Sequence, residues 1–466
     1  MAHDLVIRGG TLVDGSGVAP FPADVGVDGG RIAEVGPLAD RAGRHEIDAS
    51  GCFVVPGIID PHTHLDAQLC WDGTASPSSH HGVTTVLGGM CGFGVAPCPP
   101  GGDEYLLRSL EVVEEIPYES TAAGVEFTWG TFAQYLEHLD ARPLAVNAGF
   151  LVPHSALRYA VMGDRARGET ATDADRESLA AVLREALDAG GLGFASSRGP
   201  NHQDAHGEPV TSRHADDAEI RALVAQCRGR PWQINVRTKF AGDAQALLDE
   251  VAEYGSWTRE AGARLTWTPC HADDEGTWRR VLEATHEVDG DGVEVVPQVL
   301  AQPLALWDTS ALPEGEAVEV PVLNKDAEGI AALVEDRGTL VGLGDAGAHV
   351  RSVTNYTYPT TLLADLVRDQ ERIPLEHAVR RLTSHPAEFF GLGARGRVSV
   401  GWAADLAVLD LDSLELGPLE VVADLPAGAE RLVRSARGWR ATVVNGEVTR
   451  RDGESTGAWP GQVLRA

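Results

Sequence analysis

The sequence predicts an α/β protein in which a (β/α)₈ TIM-type barrel carries a small β-sandwich formed by the N- and C-terminal segments. Three observations lead to this fold class. Apolar strand-like runs alternate with helical stretches through the middle of the chain, which is typical of parallel α/β folds. Eight such runs occur, the number that closes a barrel. Both ends of the chain contain short strand patterns separated by turns, which favours a second β-layer.

The eight candidate barrel strands occupy residues 53–59, 83–88, 144–151, 191–196, 232–237, 264–269, 293–299 and 339–343. Helical patterns at 173–189 and 241–252 separate some of them, and the stretches 97–128 and 198–214 are interpreted as inserted loops. The terminal strand patterns lie at 5–13, 31–35, 396–410 and 441–448. We therefore expect residues 1–55 to form the first part of the β-sandwich, 56–395 the barrel, and 396–466 the second part with a C-terminal tail. A doubly wound open sheet is the alternative.

Composition narrows the function classes. The formal net charge of −31 argues against a nucleic-acid partner, because a phosphate backbone would be repelled by most of the surface. The sequence has no run of eighteen apolar residues, so no membrane partner is expected. Its six cysteines are widely spread and include no CxxC pair, which fits a reducing cytoplasm. A small-molecule substrate is the expected partner, and assembly into a homo-oligomer is left open.

A histidine pair provides the strongest chemical signal. The segment PGIIDPHTHLD at 56–66 places His62 and His64 two residues apart, directly after the first candidate strand. If the extended backbone continues, both imidazoles point to the same side, at the end of the barrel where barrel enzymes hold their active sites. Two imidazoles on one side supply half of a tetrahedral metal site.

Further candidate ligands follow other strands. Cys91 comes just after the second strand on a Gly-rich turn, and His271 ends the sixth strand. Asp345 follows the eighth strand in GLGDAGAHV, where it could bind a metal and accept a proton from an attacking water. His349, four residues later, is either a further polar contact or a structural histidine. Asn235 ends the fifth strand and is a poor ligand for zinc.

These segments together resemble the amidohydrolase superfamily, and within it the N-acyl-D-amino-acid deacylases. The resemblance extends from LVIRGGTLVDGSG to GWAADLAVLD. It implies that His62, His64 and Asp345 bind one metal, and that Cys91 and histidines after strands five and six hold another. His271 matches the sixth-strand histidine, whereas Asn235 replaces the fifth-strand one, and GFASSRGP after strand four contains no lysine for a carbamate bridge. We expect one firmly bound Zn²⁺ and a weak or absent second site; other divalent metals suit similar ligands.

The predicted function is metal-dependent hydrolysis of a non-peptide carbon–nitrogen amide bond, in an N-acyl-D-amino acid or a similar N-acylated small molecule, with Asp345 as the catalytic group. A substrate carboxylate needs a cationic partner. Such partners follow several strands: Arg198, Arg237, Lys239 and Arg351, with Asn235 and His349 as further substrate contacts. His202 and His206 are interpreted as solvated loop residues. Two alternatives stay open: a cyclic amide, lactone or ester hydrolase of the same fold, and a non-catalytic relative.

Overall fold

The centre of the fold is one sheet of eight parallel strands that follow one another in chain order. The computed structural model describes residues 2–38, 40–238, 243–273, 276–289, 293–308 and 318–466. The strands of the sheet are Ile58–Asp60, Val83–Gly88, Asn147–Pro153, Gly193–Ser197, Pro231–Asn235, Arg264–Cys270, Val295–Val299 and Leu340–Val341. They are called the first to eighth barrel strands below.

The two ends of this sheet meet just beyond the first and eighth barrel strands. Thr63 forms a parallel bridge with Ala346, and the backbone N–H of His64 donates to the carbonyl of Ala346 at 2.8 Å. Because these contacts lie at the carboxyl ends of both strands, they bring the segments that follow the strands together. The predicted α/β class and barrel are therefore confirmed.

The observed barrel strands overlap all eight candidates, with one difference at the first. Residues 53–59 were expected to form a single strand, but Phe53–Pro56 pairs with Leu406–Leu409 in a different sheet and only Ile58–Asp60 enters the barrel. The change of sheet occurs at Pro56, which has no N–H to donate to a ladder. The N–H of the following Gly57 donates to the carbonyl of Asp405 and so remains tied to the terminal sheet.

Helices connect the barrel strands and cover the sheet. Residues 173–189 form the helix expected there, which starts with a capping box between Thr172 and Asp175. The stretch 97–128, interpreted as an inserted loop, contains two helices. The α-helices are Asp103–Val113, Tyr118–Gly124, Phe132–Asp140, His154–Met162, Asp173–Asp188, Asp217–Val224, Ala244–Ala261, Thr277–Asp289, Ala327–Glu335, Tyr358–Thr361, Leu375–Leu382 and Ser384–Phe390, with a π-helix at Leu362–Asp369. Short 3₁₀ turns lie at Gln68–Cys70, Ser78–His81, Met90–Gly92, Gly163–Arg167, Thr211–His214, Asn355–Thr357 and Pro426–Gly428.

The two ends of the chain form two further sheets. One has four strands, His3–Arg8, Asp24–Asp28, Arg31–Gly36 and Gly43–Asp48. The other has seven strands taken from both ends of the chain: Thr11–Leu12, Phe21–Pro22, Phe53–Pro56, Leu406–Leu409, Trp439–Val444, Glu447–Arg451 and Glu454–Ser455. Buried residues of both sheets, among them Ile7, Val25 and Val443, belong to one apolar cluster. Burial of this shared apolar surface stabilises the association of the two chain ends.

Two antiparallel hairpins complete the described structure. One consists of Leu304–Asp308 and Val318–Leu323, between the seventh and eighth barrel strands. The other consists of Glu415–Val422 and Arg431–Arg437. The first hairpin is called the 304–323 hairpin below, because its residues reach the cavity at the carboxyl ends of the strands. Among the helices of the described residues, none is both long and apolar enough to cross a membrane.

Candidate metal centre

His62 and His64 lie together at the carboxyl end of the first barrel strand, as their spacing predicts. Both are buried, and their ring centroids are 5.4 Å apart. The Nδ1 of His62 lies 2.5 Å from the Oε1 of Gln298, in the seventh barrel strand. Since an amide oxygen only accepts, His62 donates from Nδ1, and its Nε2 faces Cys91 Sγ and Asp345 Oδ1. That nitrogen is therefore prepared to bind a metal.

Cys91 completes a group of three donors. It follows the second barrel strand with a φ of 55°, and its N–H donates to the side-chain oxygen of Gln233 at 2.8 Å. This conformation brings Sγ within 3.2 Å of His62 Nε2. Ligand atoms of His62, His64 and Cys91 all lie within 4.8 Å of one another, and all three residues are buried. Imidazole nitrogen and thiolate sulfur are the donors that zinc prefers.

Asp345 lies beside this group, after the eighth barrel strand. Its Oδ1 is 3.3 Å from His62 Nε2 and 3.7 Å from His64 Nε2. Asp345 has a φ of 47°, and Leu343 and His349 also adopt positive φ values. Backbone strain of this kind is found where a functional side chain must be held in one place.

The contacts within the group determine its ionisation. Burial raises the pKa of the Cys91 thiol, but the His62 and His64 imidazoles outweigh it and leave that pKa lowered. Burial likewise opposes ionisation of Asp345, yet His64 and His62 hold its pKa below the usual value. Cys91 and Asp345 are thus stabilised as anions facing the two imidazoles, which is the form in which both groups bind a cation.

Glu114 is a buried carboxylate that the sequence analysis missed. Its Oε1 lies 3.3 Å from His64 Nδ1, and its backbone carbonyl accepts from the N–H of His349 at 2.5 Å. It follows the helix Asp103–Val113, within the stretch interpreted as an inserted loop. The only signal for it was the acidic pair Glu114–Glu115 at the end of an amphipathic helix. Glu114 is placed to hold the orientation of the His64 ring.

A cavity of about 590 Å³ opens above these residues at the carboxyl end of the barrel. His62, His64, Cys91, Glu114 and Asp345 lie in its wall. Much of the remaining wall is apolar. Leu304, Val322 and Leu323 come from the 304–323 hairpin, and the other large apolar residues are Val113, Val236, Leu300 and Leu343. A cavity that is mainly apolar, with a few converging polar groups, is typical of a small-molecule site.

Three further predicted residues line this cavity. They are His271, Asn235 and His349. Burial lowers the pKa of His271 to about 4, so its imidazole is neutral and keeps a lone pair. Asn235 Oδ1 accepts from the side chain of Gln233 at 3.0 Å, in place of any histidine ligand from the fifth strand. His349 Nδ1 lies 3.7 Å from Glu115.

The three predicted arginine contacts do not line the cavity. Arg198 is buried behind the fourth strand, where its guanidinium contacts Asp217 and the hydroxyl of Tyr254. Arg237 lies 3.9 Å from Glu250 and is half exposed, and Arg351 is exposed outside the cavity wall. Lys239 lies outside the described residues. Both Arg198 and Arg237 follow strands, but each lies next to a carboxylate, Asp217 or Glu250, outside the cavity wall.

Two further residues line the cavity, Lys325 and His202. Lys325 was not among the predicted site residues, and His202 was interpreted as a solvated loop residue. Lys325 follows the 304–323 hairpin and is the one lysine or arginine among the described wall residues. His202, interpreted as a solvated residue, is 9% exposed and lines the cavity. Its Nδ1 lies 2.6 Å from Ser197 Oγ, which in turn accepts from the N–H of Gly199. Ser197 can therefore donate to Nδ1, which leaves a proton on His202 Nε2.

Comparison with known proteins shows similarity over the whole chain. Residues 45–297 and 315–450 match the profile described as the amidohydrolase family. The D-aminoacylase of Alcaligenes xylosoxydans xylosoxydans is 30% identical, over 99% of this chain and 97% of that protein. The N-acyl-D-aspartate deacylase of the same organism is also 30% identical, over 99% of this chain and 95% of that protein.

Solved structures of deacylases are also similar to this chain over its full length. The N-acyl-D-glutamate deacylase of Bordetella bronchiseptica, in complex with zinc and a phosphonate mimic of the tetrahedral intermediate, superposes with a TM-score of 0.78 at 26% identity, over 100% of both chains. A D-aminoacylase structure superposes with a TM-score of 0.78 at 25% identity, again over 100% of both chains. Another D-aminoacylase structure is described as having a binuclear metal centre with one-metal activation and second-metal attenuation.

Proposed function

This chain belongs to the amidohydrolase family, and we propose that it is a metal-dependent hydrolase that cleaves the amide bond of an N-acyl-D-amino acid or a similar N-acylated small molecule. The observation that carries the proposal is the buried group of His62, His64 and Cys91 with the Asp345 carboxylate beside it, at the end of a barrel. Family membership alone would not give a reaction, because one fold serves many chemistries. The three metal-binding side chains and the Asp345 carboxylate beside them favour metal-dependent hydrolysis.

The residues present fit one zinc ion. Gln298 accepts from Nδ1 of His62, the pKa of Cys91 is lowered, and the ligand atoms already converge within 4.8 Å. His62, His64, Cys91 and Asp345 would hold the ion. A bound divalent cation would polarise the scissile carbonyl and lower the pKa of an attacking water. His271 lies in the same cavity wall, but with Asn235 at the fifth strand a second site has fewer donors.

Asp345 is proposed as the proton carrier of the reaction. Its pKa is held below the usual value, so its carboxylate is ionised at neutral pH and can accept the proton of a water molecule. The same carboxyl group lines the cavity and can return the proton to the leaving amine nitrogen. The carbon–nitrogen bond breaks, and the products are a carboxylic acid and a free amine.

His202 is proposed to stabilise the oxyanion that forms when water adds to the carbonyl. Burial lowers the pKa of His202 to about 3, so the ring is neutral. The Ser197 hydroxyl directs the remaining proton to Nε2 of a ring that lines the cavity. A pre-oriented donor of this kind acts most strongly on charge that develops in a water-poor site.

Lys325 and the apolar wall are proposed to recognise the two ends of the substrate. Lys325 lies at the exposed mouth of the cavity, where an ammonium group can pair with the carboxylate of an N-acyl amino acid. The preceding residue, Asn324, is fixed by a bond from the N–H of Ala272 and by bonds to the carbonyls of Leu300 and Gln302. Leu304, Val322 and Leu323 of the 304–323 hairpin then contact an apolar acyl group or side chain.

The terminal sheets are proposed to form the expected β-sandwich. Residues 1–55 and 396–466 supply both sheets and their common apolar cluster, and residues 56–395 hold the barrel. With these boundaries, all the residues of the candidate site belong to the barrel segment 56–395. The sandwich then contributes stability and no ligand to the metal.

The test is hydrolysis of matched substrates by the zinc-loaded protein. We expect release of D-leucine from N-acetyl-D-leucine, slower hydrolysis of the L enantiomer, and turnover lower by about 10²–10⁴ with Asp345→Asn. Faster hydrolysis of hydantoin, a lactone or an ester than of any N-acyl amino acid would instead support the cyclic amide, lactone or ester reading. A protein that binds zinc at His62 and hydrolyses none of these would overturn the proposal.

A further inference from the structure

A second, smaller cavity lies at the opposite end of the barrel from the candidate metal centre. It measures about 130 Å³, and its wall includes Arg337, His377, Arg380, Arg381 and His385. Arg381 donates to the carbonyl and hydroxyl oxygens of Thr339, which directly precedes the eighth barrel strand. The cavity is therefore at the amino ends of the strands, whereas His62 and Asp345 follow the carboxyl ends.

Arg381 is a buried guanidinium whose hydrogen-bond partners among the described residues, Thr339 and His385, are uncharged. It is 2% exposed, and its Nη1 lies 2.7 Å from Nδ1 of His385. Its Nε is buried and has no hydrogen-bond partner among the described residues, none of which places a carboxylate oxygen within 4 Å of it. Burial of an unpaired charge costs several kcal/mol, on the order of the whole stability margin of a domain. An anion in the cavity would remove that cost.

The neighbouring groups make the cavity strongly positive. Arg337 is exposed and makes no ion pair with any carboxylate in the described part of the chain. Arg380 lies 3.3 Å from Glu388, but that carboxylate is shared with Arg397. Asp336, the acidic group that acts on Arg381, already accepts from His286 and from the N–H of Gly338. In a chain with a net charge of −31, three guanidinium groups around one cavity are an exception that favours an anionic ligand.

The histidines add donors without adding charge. Burial and the adjacent Arg381 lower the pKa of His385 to about 3, so the ring is neutral. Because its Nδ1 accepts from Arg381, the ring proton lies on Nε2. Burial also lowers the pKa of His377. Ser16 lies in the same wall, with its hydroxyl donating to Asp14 at 2.6 Å.

We propose that this cavity binds a phosphate-sized oxyanion, either inorganic phosphate or the phosphoryl group of a phosphomonoester. Planar guanidinium groups bind such oxyanions through paired hydrogen bonds, and three surround the cavity. The volume also fits, since one water occupies roughly 30 Å³ of liquid and the cavity has room for a few such volumes. A nucleic-acid backbone is excluded as the source by the net charge of the surface.

The site would join two parts of the fold. Ser16 and Gly17 come from the segment that follows the strand Thr11–Leu12 of the terminal sheet, while Arg380 and His385 belong to the helices Leu375–Leu382 and Ser384–Phe390. The hydroxyl of Ser384 already donates to the carbonyl of Gly15 at 2.6 Å. A bound oxyanion would add charged contacts across this junction, far from the substrate.

The test is calorimetric titration of the zinc-loaded, full-length protein with inorganic phosphate in a chloride buffer of constant ionic strength, and in parallel with glycerol 3-phosphate. We expect saturable binding of one phosphate per chain. Arg337→Gln and Arg380→Gln should each weaken it about tenfold, since each removes a charge-assisted hydrogen bond. Arg437→Gln is the matched control, because Arg437 is exposed and pairs with Glu415 away from the cavity. Arg381 itself is left unchanged, because its burial makes misfolding of a variant hard to separate from lost binding.

Each outcome decides the proposal. Loss of binding in the two cavity variants and not in Arg437→Gln supports it, and binding of glycerol 3-phosphate as well would identify the phosphoryl group as the ligand chemistry. Binding that is unchanged in the double variant Arg337→Gln/Arg380→Gln would place phosphate elsewhere, for example at the zinc, and would overturn it. Absence of saturable phosphate binding to the unaltered protein would overturn it as well. None of these readouts depends on hydrolytic activity, so the result stands apart from the proposed function.

Discussion

The sulfur of Cys91 lies 3.2 Å from Nε2 of His62, although the two residues are 29 positions apart and follow different strands. The opposite nitrogen of the same ring is held by Gln298, from a third strand. One imidazole is therefore fixed on both sides, by a group that follows the second barrel strand and by one in the seventh. Because these groups lie in or directly after barrel strands, the rigid sheet sets the positions of the ligand atoms.

Replacement of Cys91 by serine should abolish tight zinc binding. A hydroxyl is a much weaker donor than a thiolate, and it does not ionise beside His62 at neutral pH. We expect the zinc content to fall from about one per chain to below about 0.2 and activity to fall with it, roughly a hundredfold or more. Elemental mass spectrometry of the purified variant measures the first quantity. Cys98→Ser is the control, since Cys98 is also buried, its Sγ donates to the Pro99 carbonyl, and it is outside the ligand group; equal zinc loss in both variants would contradict the assignment.

Asp345→Asn should reduce kcat more than it reduces zinc content. The amide keeps the size of the carboxylate but cannot accept a proton, so we expect kcat to fall by about 10²–10⁴. His62, His64 and Cys91 remain to hold part of the zinc. Zinc content and kcat measured on the same preparation separate the two roles. Full activity in a zinc-loaded Asp345→Asn protein would show that another group moves the proton.

Lys325→Met should raise KM for substrates that carry a carboxylate. The long apolar stem is retained while the charge is lost, and a charge-assisted contact contributes enough to change KM by about tenfold. We expect little change in kcat, and little change in KM for an N-acyl amine that lacks the carboxylate. Arg351→Met is the matched control, because Arg351 is exposed and outside the cavity wall. If both variants behave like the unaltered protein, the carboxylate is recognised elsewhere.

Glu114→Gln should weaken zinc binding although none of the proposed zinc ligands is replaced. Its carboxylate lies 3.3 Å from Nδ1 of His64, and loss of such an outer contact typically costs about 10–100-fold in metal affinity. Competition with a chelator of known affinity measures the change. Glu111→Gln is the control, because Glu111 pairs with Arg108 on the same helix. Affinity that stays within about twofold in Glu114→Gln would show that the His64 ring is oriented by its packing alone.

The barrel was predictable because its signal is local. Runs such as 83–88 and 232–237 are rich in β-branched or aromatic residues, and each strand lies within a few residues of its expected position. The division at Pro56 was missed because it depends on pairing with Leu406–Leu409, some 350 residues away. No window of sequence around Pro56 contains that partner.

The site was predictable where a side chain directly follows a strand. His62, Cys91 and Asp345 satisfy that condition, and the structure brings them together. Glu114 and Lys325 do not, since one follows a helix in a long insertion and the other follows a hairpin. Their position depends on how those elements pack over the barrel. Arg198 also follows a strand, yet its guanidinium contacts Asp217 and it does not line the cavity.

Glu219→Gln tests a charged network that is buried away from the cavity. The Glu219 carboxylate accepts from Arg158 at 2.7 Å and from His154 at 2.8 Å, and all three side chains are fully buried. Burial alone would raise the pKa of Glu219. The hydrogen bonds and charges of His154 and Arg158 outweigh burial, so the pKa lies below its usual value of 4.5. Burial likewise holds the pKa of His154 below 6.5. Both groups therefore bind fewer protons when folded than when unfolded, and their contribution to stability, complete at neutral pH, is lost as the pH falls below about 6.5.

Removal of the Glu219 charge leaves Arg158 buried without a carboxylate, which should cost about 3 kcal/mol or more in the free energy of unfolding at pH 7. Urea denaturation at pH 7 and at pH 4 measures the effect. We expect a lower transition midpoint in Glu219→Gln and a smaller difference between the two pH values than in the unaltered protein, because the variant no longer has a carboxylate to protonate. Glu185→Gln, on the exposed side of the helix Asp173–Asp188, is the control. A variant as stable as the control at pH 7 would show that Arg158 is satisfied by the carbonyls of Ala166, Thr211 and Glu169 alone.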